Sequence, residues 1–390
     1  MEFDVIVIGA SSAGLYAAEQ LAAAGRRVAV LERQQELGHA RRTLIITPQM
    51  RRLLGYVPEE ALLHRIHTMS VATVHAAVDI DLRDPDLIIE RNAFIHHLAG
   101  RARAAGADIL FDHRFIGLEP HGDGVTILFQ SGKESGQMYA EAVIGADGLS
   151  SSVAAEAGIP HPPAVSILQA EIELPQGWDP ALTKVWFDTG ETPYFYWLIP
   201  ESESHGVVGL IGDDGSETRE LLHRFMQRHG LEAEAYQGSR VAMHEPGLRP
   251  WTTIGSAPIL LVGDAAGQVK VSTVGGSVTG MWGARAAADA LLDGSSYRKA
   301  LRSLKRELDL HWYLRLLLER ADNRDYDQLV NSLAAPAQEF LATYNRDEMA
   351  RVIWKLPLRQ PRLLLLGLRL LLRVPVRRRP SRTAVTPSVD

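Results

Sequence analysis

The sequence predicts an α/β fold with three parts: a lobe built on a parallel sheet, a lobe built on an antiparallel sheet, and a helical C-terminal region. A strand–turn–helix–strand unit over residues 3–32 predicts the first part, and period-2 apolar segments between about residues 165 and 250 predict the second. Helical periodicity over residues 296–373 predicts the third. A length of 390 residues, 46% hydrophobic and 23% charged, suits two or three packed lobes and excludes disordered and fibrous proteins.

The first lobe begins with the apolar run Val5–Ile8, a turn of small residues, an alanine-rich helix over about Ala13–Ala24 and the strand Val28–Leu31. A strand, a helix and a second strand in this order form a parallel βαβ unit. The same lobe is predicted to continue with a helix over residues 91–106 and strands at Asp108–Phe111, Val125–Phe129 and Ala142–Ile144.

The second lobe is predicted by alternating segments at Lys184–Phe187, Tyr194–Ile199 and Val207–Ile211, a pattern typical of an antiparallel sheet. The strand Ile259–Val262 then returns the chain to the first lobe, and a helix follows over about Val278–Leu292. The predicted domains are residues 1–165 and 250–295 for the first lobe, 166–249 for the second, 296–375 for the helical region and 376–390 for a basic, disordered tail.

Cysteine is absent from the sequence, which excludes a disulfide scaffold, thiolate-bound zinc, an iron–sulfur cluster and a cysteine nucleophile. Any redox chemistry then requires a bound cofactor. The first residues are acidic and enter a strand directly, so we expect no signal peptide and a cytoplasmic location. The adjacent His96 and His97 face different directions on a helix and no third ligand is spaced to join them, so we expect no metal site.

The turn after the first strand reads G-A-S-S-A-G from Gly9 to Gly14. Gly9 permits a tight turn, the small Ser11 lets backbone N–H groups approach a pyrophosphate, and Gly14 permits close packing of helix on strand. Glu32 ends the next strand, where a carboxylate binds both ribose hydroxyls of a dinucleotide that lacks a 2′-phosphate. The predicted dinucleotide contacts are Gly9, Ser11, Ala13, Gly14, Glu32 and Arg33.

Two further glycine turns follow strands, one around Asp147 (IGADGLS) and one at Gly263 and Asp264 (VGDAAG). With the first turn, they resemble the Rossmann-like FAD-binding lobe of flavoprotein monooxygenases and geranylgeranyl reductases, the fold of p-hydroxybenzoate hydroxylase. The resemblance assigns Asp264 to the ribityl chain of the flavin. It also implies FAD contacts at Asp147, at Arg91 in an R-x-x-F helix start, and at Arg42. The alternatives are ordinary turn chemistry for the aspartates and a solvated charge for Arg42.

The last turn continues as GDAAGQVK to the pair Gly275 and Gly276, a run that is similar to the geranylgeranyl reductase family. Hydroxylases of this fold usually have a histidine and a proline-rich stretch after the Gly-Asp motif. The reductases have proline where Val271 stands and a third glycine where Ser277 stands. The resemblance implies that Gly275 and Gly276 lie beside the flavin, with the following helix directing its N-terminus at the flavin edge that becomes negative on reduction.

The strand PYFYWLIP, residues 193–200, is similar to the P-x-Y-x-W-x-F-P strand of the reductases. Because alternate side chains share one face of a strand, Phe195, Trp197 and Ile199 are expected to form an apolar wall that suits a polyprenyl substrate. A face packed on the core is the other interpretation. The strand also resembles the W-x-W-x-I-P of flavin-dependent halogenases, which use an early lysine, whereas the first lysine here is Lys133.

The resemblance therefore implies an FAD-dependent oxidoreductase that saturates isolated C=C bonds of a polyprenyl lipid, with a hydride from reduced flavin and a proton from an unidentified donor. Because FAD uses the dinucleotide fingerprint, the electron donor is expected to be transient NAD(P)H or reduced ferredoxin. The alternatives are a flavin-dependent monooxygenase or halogenase acting on an aromatic or polyketide-like substrate, and an FAD-binding scaffold. No nucleic-acid partner is expected.

The C-terminal segment from Arg351 to Asp390 carries ten basic residues and one acidic residue, whereas the formal net charge of the chain is −6. The apolar run Leu363–Leu372 is too short to span a bilayer but can place leucines at a lipid surface. We therefore expect peripheral contact with an anionic membrane; the alternative is a helix packed on the body. The basic residues assigned to the lipid headgroups are Arg362, Arg369, Arg373 and Arg377 to Arg379.

Overall fold

A computed structural model of the chain describes residues 2–38, 43–212, 215–333, 337–344 and 346–373. The strands are β1 (Glu2–Ile8), β2 (Val28–Leu31), β3 (Thr43–Ile46), β4 (Leu62–Ala72), β5 (Ala77–Glu90), β6 (Asp108–Leu110), β7 (Arg114–His121), β8 (Gly124–Ser131), β9 (Glu134–Gly145), β10 (Ala164–Glu173), β11 (Leu182–Trp186), β12 (Tyr196–Pro200), β13 (His205–Gly212), β14 (Ala235–Ala242), β15 (Trp251–Ile254) and β16 (Ala257–Leu261).

The helices are α1 (Ser12–Ala23), α2 (Pro48–Leu54), α3 (Arg91–Ala104), α4 (Ser152–Glu156), α5 (Gly215–His229), α6 (Ser277–Asp293), α7 (Tyr297–Ala300), α8 (Arg302–Leu318), α9 (Asn323–Ser332), α10 (Ala337–Thr343), α11 (Met349–Arg359) and α12 (Pro361–Leu371). Short 3₁₀ turns lie at Glu59–Ala61 and Gly263–Ala266. Among the described residues, no helix is both long and apolar enough to cross a membrane.

The first sheet has the order β15-β16-β9-β1-β2-β6, and the β7–β8 hairpin continues from β9. β1 pairs in parallel with β2 and β9, and β9 pairs in parallel with β16. Both faces of β1 are buried, which explains its nearly continuous apolar run. The predicted βαβ unit is confirmed, and the carboxyl ends of β1, β2 and β9 meet at one edge of the sheet.

The second sheet has the order β14-β10-β13-β12-β11-β4-β5-β3 and is antiparallel except for the β4–β11 pair. Residues 62–90 supply β4 and β5, although the sequence analysis assigned this part of the chain to the first lobe. Residues 78–82 of β5 alternate apolar and charged side chains as a strand does, whereas the polar run with Pro85 at residues 83–86 interrupts the pattern, and neither feature indicates which sheet the strand joins. The two lobes therefore interleave along the chain more than the predicted boundaries allow.

The predicted helical region corresponds to α7–α12, which pack beside α6 and against the second sheet. One face of that sheet packs on α5. The other face meets α8 and the loop that follows β16. The predicted tail, residues 376–390, lies outside the described residues.

Candidate functional site

The turn between β1 and α1 is shaped by two glycines. Gly9 has φ +101°, and a Cβ there would lie 2.7 Å from the Ala146 carbonyl oxygen. A Cβ at Gly14 would lie 2.3 Å from the Gly9 carbonyl oxygen, so the helix approaches the turn as closely as backbone atoms permit. Ser11 caps α1, because its hydroxyl accepts a hydrogen bond from the Gly14 N–H over 3.2 Å. The positive end of α1 is thus directed at the edge of the sheet.

Glu32, at the end of β2, is fixed across from this turn. Its Oε2 accepts a hydrogen bond from the Ala10 N–H over 2.8 Å, and its Oε1 accepts one from the Gln34 N–H over 3.0 Å. The carboxylate therefore has a fixed orientation and keeps lone pairs for further donors. This is the geometry expected for binding ribose hydroxyls.

A cleft opens at the carboxyl ends of β1, β2 and β9, where open α/β sheets bind ligands. Three arginines line it, Arg33, Arg91 and Arg114, and they favour an anionic ligand. The cleft brings together six of the predicted cofactor residues: Gly9, Ser11, Glu32, Arg33, Arg91 and Asp147. Sequence reasoning gave no cofactor role to several lining residues. Among them, His113 and Arg114 follow β6 without a glycine motif, whereas Ser150 and Ser152 belong to the segment of the Asp147 turn and were missed although the turn itself was recognised.

Asp147 shapes the turn after β9. Its Oδ1 accepts a hydrogen bond from the Ser151 hydroxyl over 2.6 Å, and its Oδ2 accepts one from the Val153 N–H over 3.2 Å. Burial raises the pKa of this carboxyl, while the hydrogen bonds oppose that shift. Both carboxylate oxygens thus accept hydrogen bonds within the turn, as expected for an aspartate that stabilises its own loop. A contact between Asp147 and the cofactor stays a prediction.

The loop after β16 packs against the dinucleotide turn. A Cβ at Gly263 would lie 3.5 Å from the Ala13 Cβ, and a Cβ at Gly280 would lie 3.0 Å from the Gly263 Cα. A Cβ at Gly276 would come 3.3 Å from Asp264 Oδ1. Gly263 of this loop therefore lies beside the start of α1, and Gly276 lies beside Asp264. The described residues that line the cleft do not include Gly263, Asp264, Gly275 or Gly276. Ala13 and Gly14 are buried in the first turn of α1 and are not among the residues that line the cleft, and Arg42 lies outside the described residues.

Gln268 holds this loop in place, although sequence reasoning gave it no role. Its Oε1 accepts a hydrogen bond from the Gly263 N–H over 2.8 Å, and its Nε2 donates to the Tyr297 hydroxyl over 3.1 Å. Tyr297 in turn donates to the Leu261 carbonyl oxygen over 2.8 Å. A glutamine after the small residues AAG of the GDAAGQV run was the available signal, since such a residue is buried only with hydrogen-bond partners.

Trp197 lies on the face of the second sheet that meets this loop. Its side chain is 8% exposed, and a Cβ at Gly209 would come 2.5 Å from Trp197 Cζ2, so the indole lies across this glycine. The Phe195 ring is edge-on at 6.1 Å between centroids. The indole Nε1 is buried and has no hydrogen-bond partner among the described residues. These rings share one apolar cluster with Ile199 and with Val271 and Val274 of the loop.

The chain matches the FAD binding domain family over residues 2–300. Digeranylgeranylglycerophospholipid reductase 2 of Methanothermobacter thermautotrophicus is 30% identical over 369 residues, which cover 85% of this chain and 92% of that protein. The corresponding reductase 1 of Methanopyrus kandleri is 28% identical over 307 residues, covering 75% and 81%. A crystal structure of a geranylgeranyl bacteriochlorophyll reductase-like protein from Thermoplasma acidophilum has a TM-score of 0.77 at 20% identity, covering 91% of this chain and 99% of that one.

The family match and the shared fold define an FAD-dependent oxidoreductase with the p-hydroxybenzoate hydroxylase type of architecture. This confirms the predicted fold class and cofactor. Within that class, the chain belongs to the geranylgeranyl reductase family.

The residues of the cleft fit FAD. The space beside Gly9, the N-terminus of α1 and the arginines suit a pyrophosphate, and the fixed Glu32 carboxylate suits a ribose. When bound, FAD supplies two-electron redox chemistry, while the protein supplies orientation and exclusion of water. Within the described residues, no group of three or more side chains is placed to hold a metal ion.

Proposed function

We propose that the chain reduces isolated carbon–carbon double bonds of a polyprenyl lipid and that Phe195, Trp197 and Ile199 line the path of that chain. The observation that carries this proposal is the apolar face that leads away from the loop after β16. The FAD contacts proposed with it are Gly9, Ser11, Ala13, Gly14, Glu32, Arg33, Arg42, Arg91, Asp147, Gly263, Asp264, Gly275 and Gly276.

The apolar face can be followed across the strands. Trp197 lies opposite Val185 in the β11–β12 pair, and Val185 lies beside Val71 in the β4–β11 pair. Met69, two residues from Val71, lies opposite Ile80 of β5. Because paired residues share a face, the apolar surface runs from Trp197 across three interstrand spacings, about 14 Å.

The far end of this face lines a cavity of about 210 Å³. Met69, Val71 and Ile80 form one wall, and Leu341 and Val352 of the C-terminal helices cover it. The cavity is also bordered by charged side chains, among them the paired Asp86 and Arg346. The apolar face that leads to it suits a long hydrocarbon chain, which has few polar groups to recognise. The names of the curated relatives, reductases of a digeranylgeranyl glycerophospholipid, support the same substrate class.

The proposal is tested by products. The protein is reduced with dithionite under nitrogen and incubated with a geranylgeranyl glycerolipid, menaquinone or an aromatic acid, and the products are weighed by mass spectrometry. We expect a gain of two hydrogen atoms per double bond on the polyprenyl substrates. A product that gains oxygen when air is admitted, with no saturation of the lipid, would contradict the proposal and favour a monooxygenase. We propose transient NAD(P)H or reduced ferredoxin as the electron donor in the cell, because FAD uses the dinucleotide fingerprint of the chain.

We also propose that α11 and α12 place the protein peripherally on the inner face of an anionic membrane. Leu366 and Leu370 pack inward against α9. The opposite face of α12 and the neighbouring side of α11 expose a patch of large apolar residues: Trp354, Leu358, Leu364, Leu365, Leu368, Leu371 and Leu372. The α12 residues of this patch recur on one helical face, as in helices that lie in a lipid interface.

Two of the arginines assigned to headgroups from the sequence face the protein instead. Arg369 donates to the buried Asp325 carboxylate, and Arg373 pairs with Asp325 and, over 3.3 Å, with Asp322. These aspartates begin α9, so the two arginines hold α12 on the body. The assignment of these two arginines to lipid headgroups was wrong, because the charges counted along the C-terminal segment do not reveal a partner on α9. Exposed basic residues beside the apolar patch include Lys355, Arg359 and Arg362.

Flotation on anionic vesicles tests this contact. Leu365→Ser with Leu368→Ser removes two exposed leucines, each worth about 1.5–3 kcal/mol on burial, so vesicle binding should fall by more than about tenfold. Ile116→Ser, at an exposed apolar residue of β7, is the matched control and should bind as the wild type does. Absence of wild-type binding at low salt would end the membrane proposal.

A further inference from the structure

A buried ion pair joins the loop after β16 to the link between α10 and α11. The Lys270 ammonium donates to the Asp347 carboxylate, and each side chain is 5% exposed. The Thr47 hydroxyl, just after β3, donates to the other Asp347 oxygen. Segments from three distant parts of the sequence therefore meet at one buried carboxylate.

The lysine side chain lies against the glycine pair that precedes α6. A Cβ at Gly275 would come 3.2 Å from Lys270 Cε and 3.4 Å from its Nζ. The Lys270 N–H also donates to the Gly275 carbonyl oxygen over 3.2 Å, which closes the loop. Gly276 is the N-cap of α6 and adjoins Asp264. The buried cation thus stands at the start of α6, beside two of the proposed flavin contacts.

The other ionisable groups of this cluster are paired or neutral. Arg346 and Asp86 form a second buried pair with a nitrogen–oxygen distance of 2.7 Å. The His311 Nε2 donates to the Arg346 carbonyl oxygen over 3.0 Å, and its Nδ1 accepts from the Ser272 hydroxyl over 2.5 Å. Burial lowers the pKa of His311 to about 3, so this ring is neutral at neutral pH. Burial lowers the pKa of the Lys270 ammonium, and the adjacent Asp347 carboxylate opposes that shift. Lys270, held by this ion pair, is the cation of the cluster that adjoins the glycine pair.

We propose that Lys270 is a positioning residue, anchored by Asp347, whose buried charge favours the reduced form of the flavin at the start of α6. This inference rests on the proposed function, because it takes the loop to contact FAD. Reduction places negative charge on the flavin, and a cation next to a helix N-terminus stabilises such charge in a site that excludes water. The lysine should therefore raise the reduction potential of the bound cofactor.

Equilibrium reduction of the FAD-loaded protein against a reference dye measures this effect without any lipid substrate. Lys270→Met alone leaves Asp347 without its cation, which destabilises a buried site. The double variant Lys270→Met, Asp347→Leu removes both charges and avoids that penalty. Lys270→Arg keeps the charge and is the matched control. FAD content and thermal unfolding are measured on every variant.

The Lys270 ammonium lies closer to Gly275 than the Asp347 carboxylate does. Removing both charges should therefore still lower the ratio of reduced to oxidised flavin at a fixed potential, by about fivefold or more, which is about 20 mV for a two-electron couple. Lys270→Arg should stay within about threefold of the wild type, since the guanidinium carries the same charge. A double variant that folds, binds FAD and keeps the wild-type potential would overturn the inference and leave the proposed function standing. A wild-type chain that binds no flavin would contradict both.

Discussion

The Trp197 indole packs over Gly209 on the neighbouring strand. Replacing Gly209 with alanine is the sharpest test of the proposal that Phe195, Trp197 and Ile199 line the substrate path. The new Cβ would lie 2.5 Å from Trp197 Cζ2 and 2.7 Å from Cε2, and also 2.8 Å from the Gln169 Cβ. Ordinary carbon–carbon contacts are about 3.5–4.0 Å, so the indole must move outward by about 1 Å. Overpacking of this kind costs about 1–3 kcal/mol of unfolding free energy.

The direction in which the Trp197 indole moves determines whether Gly209→Ala affects turnover as well as the free energy of unfolding. The indole is displaced towards the loop after β16, where the proposed substrate path begins. Gly209→Ala should therefore lower turnover of long polyprenyl substrates and raise their KM, while the bound flavin keeps its absorbance spectrum. Combining it with Trp197→Phe should restore part of the lost stability, because the smaller ring no longer meets the new Cβ.

Urea denaturation and steady-state kinetics on the same preparations separate the two interpretations of Trp197. Gly238→Ala, on the edge strand β14, is the matched control: its Cβ would meet its nearest neighbour at an ordinary 3.7 Å, so stability should change by less than about 0.5 kcal/mol. If Gly209→Ala loses stability while kinetics with long and short prenyl substrates are unchanged, Trp197 is a core residue and the reasoning about the wall is wrong.

Two further outcomes follow from the cofactor cleft and the buried cluster. Glu32→Gln keeps the side-chain shape but removes the charge, so the Kd for FAD should rise about 10–100-fold in titrations of the apoprotein, whereas Glu36→Gln in the same cleft should change it by less than about threefold. Burial lowers the pKa of His311 from 6.5 to about 3, so below pH 6.5 the unfolded chain takes up a proton that the folded chain does not. This histidine should therefore lower the unfolding free energy by up to about 1.4 kcal/mol per pH unit as the pH drops from 6.5 towards 3. His311→Gln should remove that contribution to the pH dependence. Equal pH dependence of unfolding in the two proteins would contradict this prediction.

The parts of the fold that the sequence predicted well are determined by residues close together in the chain. The βαβ unit, the start of α1 and the start of α6 depend on apolar runs, small residues and glycines within a few positions of one another. The predicted helix starts at Ala13 and Val278 lie one residue from the observed starts at Ser12 and Ser277. The Rossmann-like lobe could therefore be predicted from short segments of the sequence.

Long-range pairing explains what the sequence did not reveal. β4 and β5 belong to the second sheet because β4 pairs with β11, more than 100 residues later, and no local pattern encodes that partner. The Lys270–Asp347 pair joins residues 77 positions apart, and Arg369 meets Asp325 across 44. The sequence does not reveal that these charged residues are paired in the fold, because their partners come from separate elements.

Rapid mixing tests the central claim most directly. The dithionite-reduced protein is mixed under nitrogen with a geranylgeranyl glycerolipid in detergent, and flavin absorbance is followed while the lipid is sampled for mass. We expect the flavin to be reoxidised without oxygen, in step with saturation of the lipid, and a fully saturated phytanyl lipid to give no reoxidation. Flavin that stays reduced with the unsaturated lipid and is reoxidised only when oxygen is admitted would contradict the account.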